Sequence, residues 1–325
     1  MDLTSLYYFT ELAKDLHMTR TAERLFISQQ TLSNHIARLE SHYGAELFYR
    51  KPRLSLTPAG EYLLASALSM LKEETNLRDI LSDIENQERG LLRFGASTIR
   101  MNSSLPRILP RFSERYPKVE IRLTDTISSE LTELVLNGQL DLAVTVSDKS
   151  NARLTEEKLL DDQVYLCVAD PLLYRYYGDE AEALKLRSRH GASVADFSKL
   201  PFCMLQNRVG ELIYECFDEA HVTPWPYITS TYTQISATVC FQRLAAAFVP
   251  RVCLAGIVSS IPYDLNIFPL LHRGTPLTQQ VNLIHLKDRY LPRPFNYFRE
   301  LLHEYYRDVG CVGLERVAEH SHYHQ

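Results

Sequence analysis

The stretch from Thr19 to Glu40, TRTAERLFISQQTLSNHIARLE, constrains this chain more than any other. Ala22, Leu25 and Phe26 mark the inner face of a helix that starts near Thr19. Leu32, Ile36 and Leu39 recur at i, i+4 and i+7, one face of a second helix. Between them Ile27-Ser28 makes a tight turn, and the Ser28 hydroxyl is placed to cap the second helix. The opposite face carries Gln29, Gln30, Ser33, Asn34 and Arg38. Side-chain amides bind adenine edges in two places at once, and arginine does the same for guanine or grips a phosphate. Hydroxyls and backbone amides at a helix N-terminus suit phosphate oxygens. His35 sits at the edge of the buried stripe. Periodicity alone leaves an ordinary amphipathic hairpin with a solvated polar face equally open.

The next residues decide between the two. After a turn at Tyr43-Gly44, Leu47-Phe48-Tyr49 and Leu54-Ser55-Leu56 read as short strands flanking a basic turn, Lys51-Pro52-Arg53. Thr57 then caps a new helix with Pro58 at its first position. Helices followed by a basic two-stranded hairpin make a winged helix-turn-helix. The segment resembles the DNA-binding domain of LysR-type transcriptional regulators. The resemblance is carried by Leu6, Phe9, Thr21-Ala22-Glu23-Arg24-Leu25, Ser28-Gln29, Leu32-Ser33, Ile36 and Leu39-Glu40. It continues through Gly44, Leu47-Phe48, Arg50 and Leu56-Thr57-Pro58-Ala59-Gly60. The spacing from Arg50 to Thr57 is about one residue tighter than the family's, so a short wing turn is expected.

Charge fits a local rather than a global DNA surface. Of 325 residues, 35 are Lys or Arg and 40 Asp or Glu, a net of −5, so the molecule is no polycation. Residues 1–60 hold seven Lys/Arg and six Asp/Glu, a net of +1, gathered at Arg38, Arg50, Lys51 and Arg53. Such modest charge calls for two or more copies acting together. No apolar run approaches the roughly 20 residues of a membrane span and no secretory signal opens the chain, so a cytoplasmic location is expected. Six cysteines (Cys167, Cys203, Cys216, Cys240, Cys253, Cys311) show no CxxC pair and no metal-ligand spacing, so reduced thiols among apolar neighbours are expected. Some LysR relatives sense oxidants through a cysteine pair in the regulatory half; the surroundings of Cys203 and Cys216 do not resemble that motif.

From Glu61 to about Glu88 the chain lacks Pro and Gly, and Leu63, Met70, Leu77 and Ile84 recur every seven residues, with Ala67 and Leu81 on the alternate seam and Glu74 interrupting it. A helix with such a stripe lies on its own domain or pairs with a second copy. The family resemblance implies pairing, and a dimer reads the two half-sites of a near-palindrome. Gly90 is expected to mark the hinge beyond residues 61–89.

The remainder, 90–310, alternates strands and helices, an α/β class. LLRFGAS reads as a strand, Ser103 or Ser104 as the cap of the helix LPRILPRFSERY, and VEIRLTD and QLDLAVTV as further strands. Pro117, and Gly138 to Ala143, also look like the family, whose regulatory domain resembles the periplasmic solute-binding fold: two α/β lobes with a ligand between them. Lobe I is expected over about 90–163 and 266–310 and lobe II over about 164–265, followed by a flexible tail, 311–325, with His320, His322 and His324.

By alignment of pattern, Ser97, Thr98, Arg100 and Thr145 face the cleft from lobe I, and Gln206 and Arg208 from lobe II. Hydroxyls plus arginine fit a small organic acid; ordinary capping and surface roles for the same residues stay equally open. Arg243 and alanines stand where the family often has glycines, and 175–193 is longer than usual, an extra helix over the cleft or at an oligomer contact.

No nucleophile elbow, phosphate-cradling glycine loop or zinc-binding helix motif supports catalysis. A solute-binding transport component fits the C-terminal fold but not the N-terminal head. The reading reached is a LysR-type, non-enzymatic regulator without cofactor or metal, its effector unidentified. Ser28, Gln29, Gln30, Thr31, Ser33, Asn34 and Arg38 would meet bases and nearby phosphates, and Arg50, Lys51, Arg53 and Thr57 the DNA backbone. Double-stranded DNA, a homodimer or homotetramer, and RNA polymerase are its implied partners, with no membrane.

Overall fold

Asp2 begins the first helix by accepting the Ser5 amide at 2.6 Å, which starts α1 (Leu3–Asp15). The computed structural model describes residues 2–51, 53–84, 89–146 and 150–318. The chain divides into two compact units, Met1–Arg89 with Asp288–Arg293, and Gly90–Lys287 with Pro294–Gln325.

In the first unit α1 is followed by α2 (Met18–Arg24), α3 (Gln29–Tyr43), β1 (Phe48–Tyr49), β2 (Ser55–Leu56) and α4 (Pro58–Ile84). The expected periodicities close one core of Leu6, Phe9, Leu12, Ala22, Leu32, Ile36, Leu39, Leu47, Phe48, Leu63 and Ala67. Each Leu or Phe buried there stabilises the head by about 1.5–3 kcal/mol. Gly44 ends α3 in the left-handed region at φ 64°. Phe26 departs from expectation. It does not face inward but sits in the turn after α2 at φ 55°, 96% exposed, because α2 stops at Arg24 and the chain must reverse before Ser28. The antiparallel wing pairs Phe48 with Leu56 and Tyr49 with Ser55; Pro52 lies outside the described residues.

The stripe on α4 serves two ends. Leu63 and Ala67 join the head's core, whereas Met70, Leu77 and Leu81 remain 42%, 55% and 50% exposed. The side chain of Ile84 lies outside the described residues. The division between the two units falls between Arg89 and Gly90, where the chain enters the next strand.

The second unit is built on a nine-stranded sheet ordered β4-β3-β5-β13-β6-β9-β7-β8, with β10 also on β6. In chain order its elements are β3 (Arg89–Ala96), α5 (Thr98–Arg115), β4 (Lys118–Asp125), α6 (Ser128–Leu136), β5 (Leu142–Val146) and β6 (Leu154–Ala169). Then come α7 (Asp170–Tyr177), α8 (Glu180–Ser188), β7 (Pro201–Leu205), α9 (Arg208–Glu219), β8 (Trp225–Ser230), α10 (Ile235–Phe241), β9 (Ala246–Pro250) and α11 (Arg251–Gly256). The last are β10 (Leu265–Pro269), β11 (Leu271–His272), β12 (Thr275–Pro276), β13 (Thr278–Leu286) and α12 (Arg293–Cys311).

The long strand β6 runs through both lobes. Its first part, from Leu154 to Gln163, pairs with β13, and its end pairs with β9 and β10. The return to lobe I therefore comes at Thr278, not near Asn266, because Leu265–Pro269 pairs with the lobe II end of β6. Helix α5 starts at Thr98 and runs through Pro106 and Pro110; Ser103 and Ser104 do not cap it but donate their hydroxyls to the Arg100 carbonyl from within. Asp141, fully buried, accepts both the Arg93 amide at 2.7 Å and its guanidinium at 3.1 Å, tying β3 to β5.

The long segment 175–193 becomes part of lobe II's core. Tyr177, Ala181 and Leu184 pack into it, and Lys185, 0% exposed, reaches Asp170 at 3.1 Å and Glu182 at 2.9 Å. Asn266 donates to the same Asp170 at 2.7 Å and accepts the Ala318 amide at 2.9 Å. The residues after α12 are thus no flexible tail up to 318. Leu314 and Ala318 are buried, Arg316 bridges to Ile267, and Arg251 donates to the Val312 carbonyl at 2.8 Å. The apolar positions of GLERVA find a lobe II surface that only the folded chain provides. His320, His322 and His324 lie outside the described residues.

Cys167, Cys203, Cys216 and Cys240 are buried free thiols, while Cys253 is half-buried and Cys311 exposed. Burial pushes the Cys216 thiol up to about 11, so it holds little thiolate at neutral pH. No described helix is long and apolar enough to cross a membrane.

Lobe I carries one strong pH dependence. Glu157 on β6 meets His285 at 3.4 Å, His303 at 2.8 Å and Arg299 at 3.0 Å. Its bond to His285, above all, holds the carboxyl at about 2 against an ordinary 4.5, despite partial burial. A depressed carboxyl stabilises the fold above its unfolded value and loses that contribution as pH falls towards its folded value. The shift is worth up to about 3 kcal/mol. In denaturant titrations Glu157→Gln is therefore expected to be less stable than the parent above pH 5, with the gap closing between 4.5 and about 2. A gap independent of pH would show that the charge contributes nothing.

Candidate nucleic-acid interface and effector cleft

Ser28 caps α3 as expected, accepting the Thr31 amide at 3.0 Å, and its hydroxyl meets that of Thr31 at 2.8 Å. Gln29, Gln30, Thr31, Asn34 and Arg38 are exposed along the helix and Ser33 is half-buried. Their amides are oriented by neighbours. Thr19 donates to the Gln29 side-chain oxygen at 3.1 Å. Gln30 donates to the Asn34 side-chain oxygen at 3.0 Å, and each of the two amides keeps an acceptor and a donor to offer. An acceptor beside a donor complements the N6–H and N7 of adenine.

The cations are partly committed within the head. Arg38 pairs with Asp2 at 2.9 Å and Arg50 with Glu40 at 3.2 Å, both arginines staying largely exposed. Glu40 also accepts the Leu47 amide at 3.0 Å, so one carboxylate fixes the start of the wing and aims Arg50. Lys51 and Arg53 are exposed on the wing. Arg24 is structural, bound to Glu11 and, at 2.7 Å, to Asp15. Thr57 is not available to DNA. It is buried, donating its hydroxyl to the Glu46 carbonyl at 2.7 Å and accepting the Gly60 amide at 2.9 Å. The cap expected of it consumes the hydroxyl.

Asp2 and Glu40 were the residues that motif reading missed. Each lies well away in sequence from the cation it meets, and only the fold shows the pairs. Exchanging the exposed ion pair of Arg38 for a base or phosphate costs little. Arg38→Ala is expected to weaken DNA binding by roughly 1–3 kcal/mol. Unchanged affinity in a titration at fixed salt would remove Arg38 from the interface.

In the second unit the C-terminal ends of β3, β4 and β5 lie together, where ligands of open α/β sheets bind. Ser97 starts α5 without a side-chain cap; its hydroxyl instead accepts from Arg100 at 2.9 Å. Thr98 donates its hydroxyl to Asp125, the last residue of β4. Thr145 is 1% exposed, and its hydroxyl has no partner among the described residues. Ser128 accepts the Val146 amide at 3.0 Å.

From lobe II, Arg208 reaches the Val146 carbonyl at 3.4 Å, spanning the lobes. Asn207 caps α9, accepting from Gly210 at 3.2 Å, and donates to Thr233 at 2.9 Å. Gly210 lets the first turn of α9 pack against the end of β7, since a Cβ there would lie 1.9 Å from the Leu205 carbonyl oxygen. The Gln206 side chain is exposed, and the residue's backbone N–H donates to the Ser230 carbonyl at 2.8 Å.

Of the six expected cleft residues, Ser97 and Thr98 follow β3, Thr145 lies near the end of β5, and Gln206 and Arg208 follow β7, with Arg208 reaching across to Val146. Arg100 does not line the opening. It is buried on the inner face of α5; burial raises the carboxyl of Asp162, and the Arg100 charge offsets only part of that rise. Asp125 and Ser128 were not anticipated; a polar run closing a strand, Asp125-Thr126-Ile127-Ser128, was the available signal. Arg243 adopts φ 60° where glycine is favoured, and its guanidinium meets Asp264 at 2.7 Å.

Residues 3–61 match the family described as bacterial regulatory helix-turn-helix protein, lysR family, and residues 85–307 match the LysR substrate binding domain. The chain belongs to the LysR family. It is a LysR-type DNA-binding transcriptional regulator with a substrate-binding domain. The activator IlvY of Salmonella typhimurium is 30% identical over 279 residues, 85% of this chain and 91% of that protein. The match to the regulator YkuM of Bacillus subtilis is 29% identical over 167 residues, 51% of this chain and 57% of that one.

Among solved structures, a full-length OxyR variant from Pseudomonas aeruginosa superposes with a TM-score of 0.61 at 20% identity, covering 94% of this chain and 95% of that one. Full-length CbnR complexed with target DNA gives 0.52 at 20% identity, covering 94% and 100%. At such identity these two neighbours speak to the fold of this LysR-family chain.

Proposed function

We propose that this regulator binds a near-palindromic duplex as a dimer paired through α4, assembles as a homotetramer, and is switched by a small organic acid held between the lobes. The observation that carries the DNA half is the exposed, Ser28-capped polar face of α3 beside the cationic wing. Pairing is supported by Met70, Leu77 and Leu81, which the head's own core leaves uncovered. The switch is supported by Arg208, Ser97, Thr98 and Thr145 at the strand ends. Ligand-dependent placement of the dimers would change DNA bending and the access of RNA polymerase in the cytoplasm.

The test is a footprint of the full chain on DNA upstream of its own gene, with and without candidate acids. Protection of a near-palindrome that changes length with one acid supports the reading. Protection insensitive to every ligand would leave DNA binding and remove the switch.

A further inference from the structure

The effector reading above can be taken one step further, and the step rests on it. An acid bound at lobe I would ordinarily place its carboxylate at the N-terminus of α5, where backbone N–H groups are free and Ser97 supplies no side-chain cap. This chain already places a carboxylate there. Asp125, exposed at the end of β4, accepts the Thr98 hydroxyl in the first turn of α5. A simple acid arriving at that end meets like charge.

The opposite pole lies two strands away. In the order β4-β3-β5, the ends of β4 and β5 are separated by two strand spacings, roughly 10 Å. The β5 end is where the Arg208 guanidinium arrives from lobe II, at the Val146 carbonyl. Next to it in the strand, Thr145 holds a buried hydroxyl without a partner among the described residues. With a carboxylate at one end and a guanidinium at the other, the cleft suits a molecule carrying both charges a few bonds apart.

We infer that the effector is a dipolar α-amino acid, its ammonium at Asp125 and its carboxylate at Arg208. Asp125 thereby selects against the corresponding acid without an amine.

The experiment uses the full-length protein in calorimetric titration. The twenty L-α-amino acids are compared with the 2-hydroxy acid and the primary amine that match each. One amino acid is expected to bind at least tenfold tighter than its hydroxy acid and its amine. Asp125→Asn, with Asp125→Ser as a second variant, should erase the preference over the hydroxy acid, and Arg208→Gln should abolish binding of both. Hydroxy acids that bind as tightly as their amino acids would overturn the dipolar assignment and leave an acid-binding switch standing. A binding preference for an amino acid that survives both Asp125 substitutions would also overturn it. If none of the three sets binds while the protein still protects DNA, both this inference and the acid-controlled cleft fall.

Discussion

Gly60→Ala is expected to disable the DNA-binding head. A Cβ at Gly60 would lie 2.2 Å from the Leu47 carbonyl oxygen, 3.2 Å from its carbon and 3.0 Å from a Leu56 methyl. The Leu56 methyl can shift, but the tighter contact is with the Leu47 backbone, which has no flexible end to yield. The same carbonyl accepts the Thr57 amide at 3.0 Å, and Thr57 holds both Glu46 and Gly60. One added methyl must therefore push the first turn of α4 off the wing and break the cap. Overpacking of this kind costs roughly 3 kcal/mol. Because the wing carries Arg50, Lys51 and Arg53, DNA affinity should fall by at least about tenfold as the phosphate contacts lose their register. Chemical denaturation and a binding titration on the same sample check both effects. Parental affinity and stability in the alanine variant would show that the contact yields freely.

Lys185→Met should be the most damaging change in lobe II. The ammonium is wholly buried and faces Asp170 at 3.1 Å and Glu182 at 2.9 Å, with the Tyr174 ring 5.8 Å away. Removing one partner of a buried pair leaves the other charge uncompensated, which costs about 3–5 kcal/mol. Methionine keeps the volume, so the loss reports the charge rather than a cavity. Adding Asp170→Asn to the same chain should recover most of the stability, since Asn266 and a neutral amide can still bond. A single variant as stable as the parent, or a double variant no better than the single, would refute the pairing argument.

What the sequence disclosed follows from where its signals are local. Leu32, Ile36 and Leu39 recur at helical spacing and Ser28 stands at the cap position, so α3 and its outward face were readable, as was the wing. Phe26 was not, because an aromatic between Leu25 and Ile27 looks like core until the chain reversal at φ 55° is known. Arg100 was misplaced by starting its helix too late. With the helix begun at Thr98, the spacing Arg100, Ser104, Ile108, Phe112 reveals a buried face.

Non-local facts stayed hidden. Arg38 meeting Asp2, Thr98 meeting Asp125, and residues 314–318 docking on lobe II all join positions far apart in sequence. The return crossing was misjudged at 266 rather than 278 because the buried runs of β10 and β13 look alike in either lobe.

The central claim is that α3 reads DNA sequence through its amide and arginine side chains. Its most direct test is repeated selection of bound duplexes from a random pool by the full-length protein, run beside the Gln30→Ala and Arg38→Ala variants at fixed salt. A near-palindrome with two half-sites is expected from the parent, with information lost at matching positions in both half-sites for each variant. Retention without any enriched sequence, or the same enriched sequence from all three proteins, would contradict it.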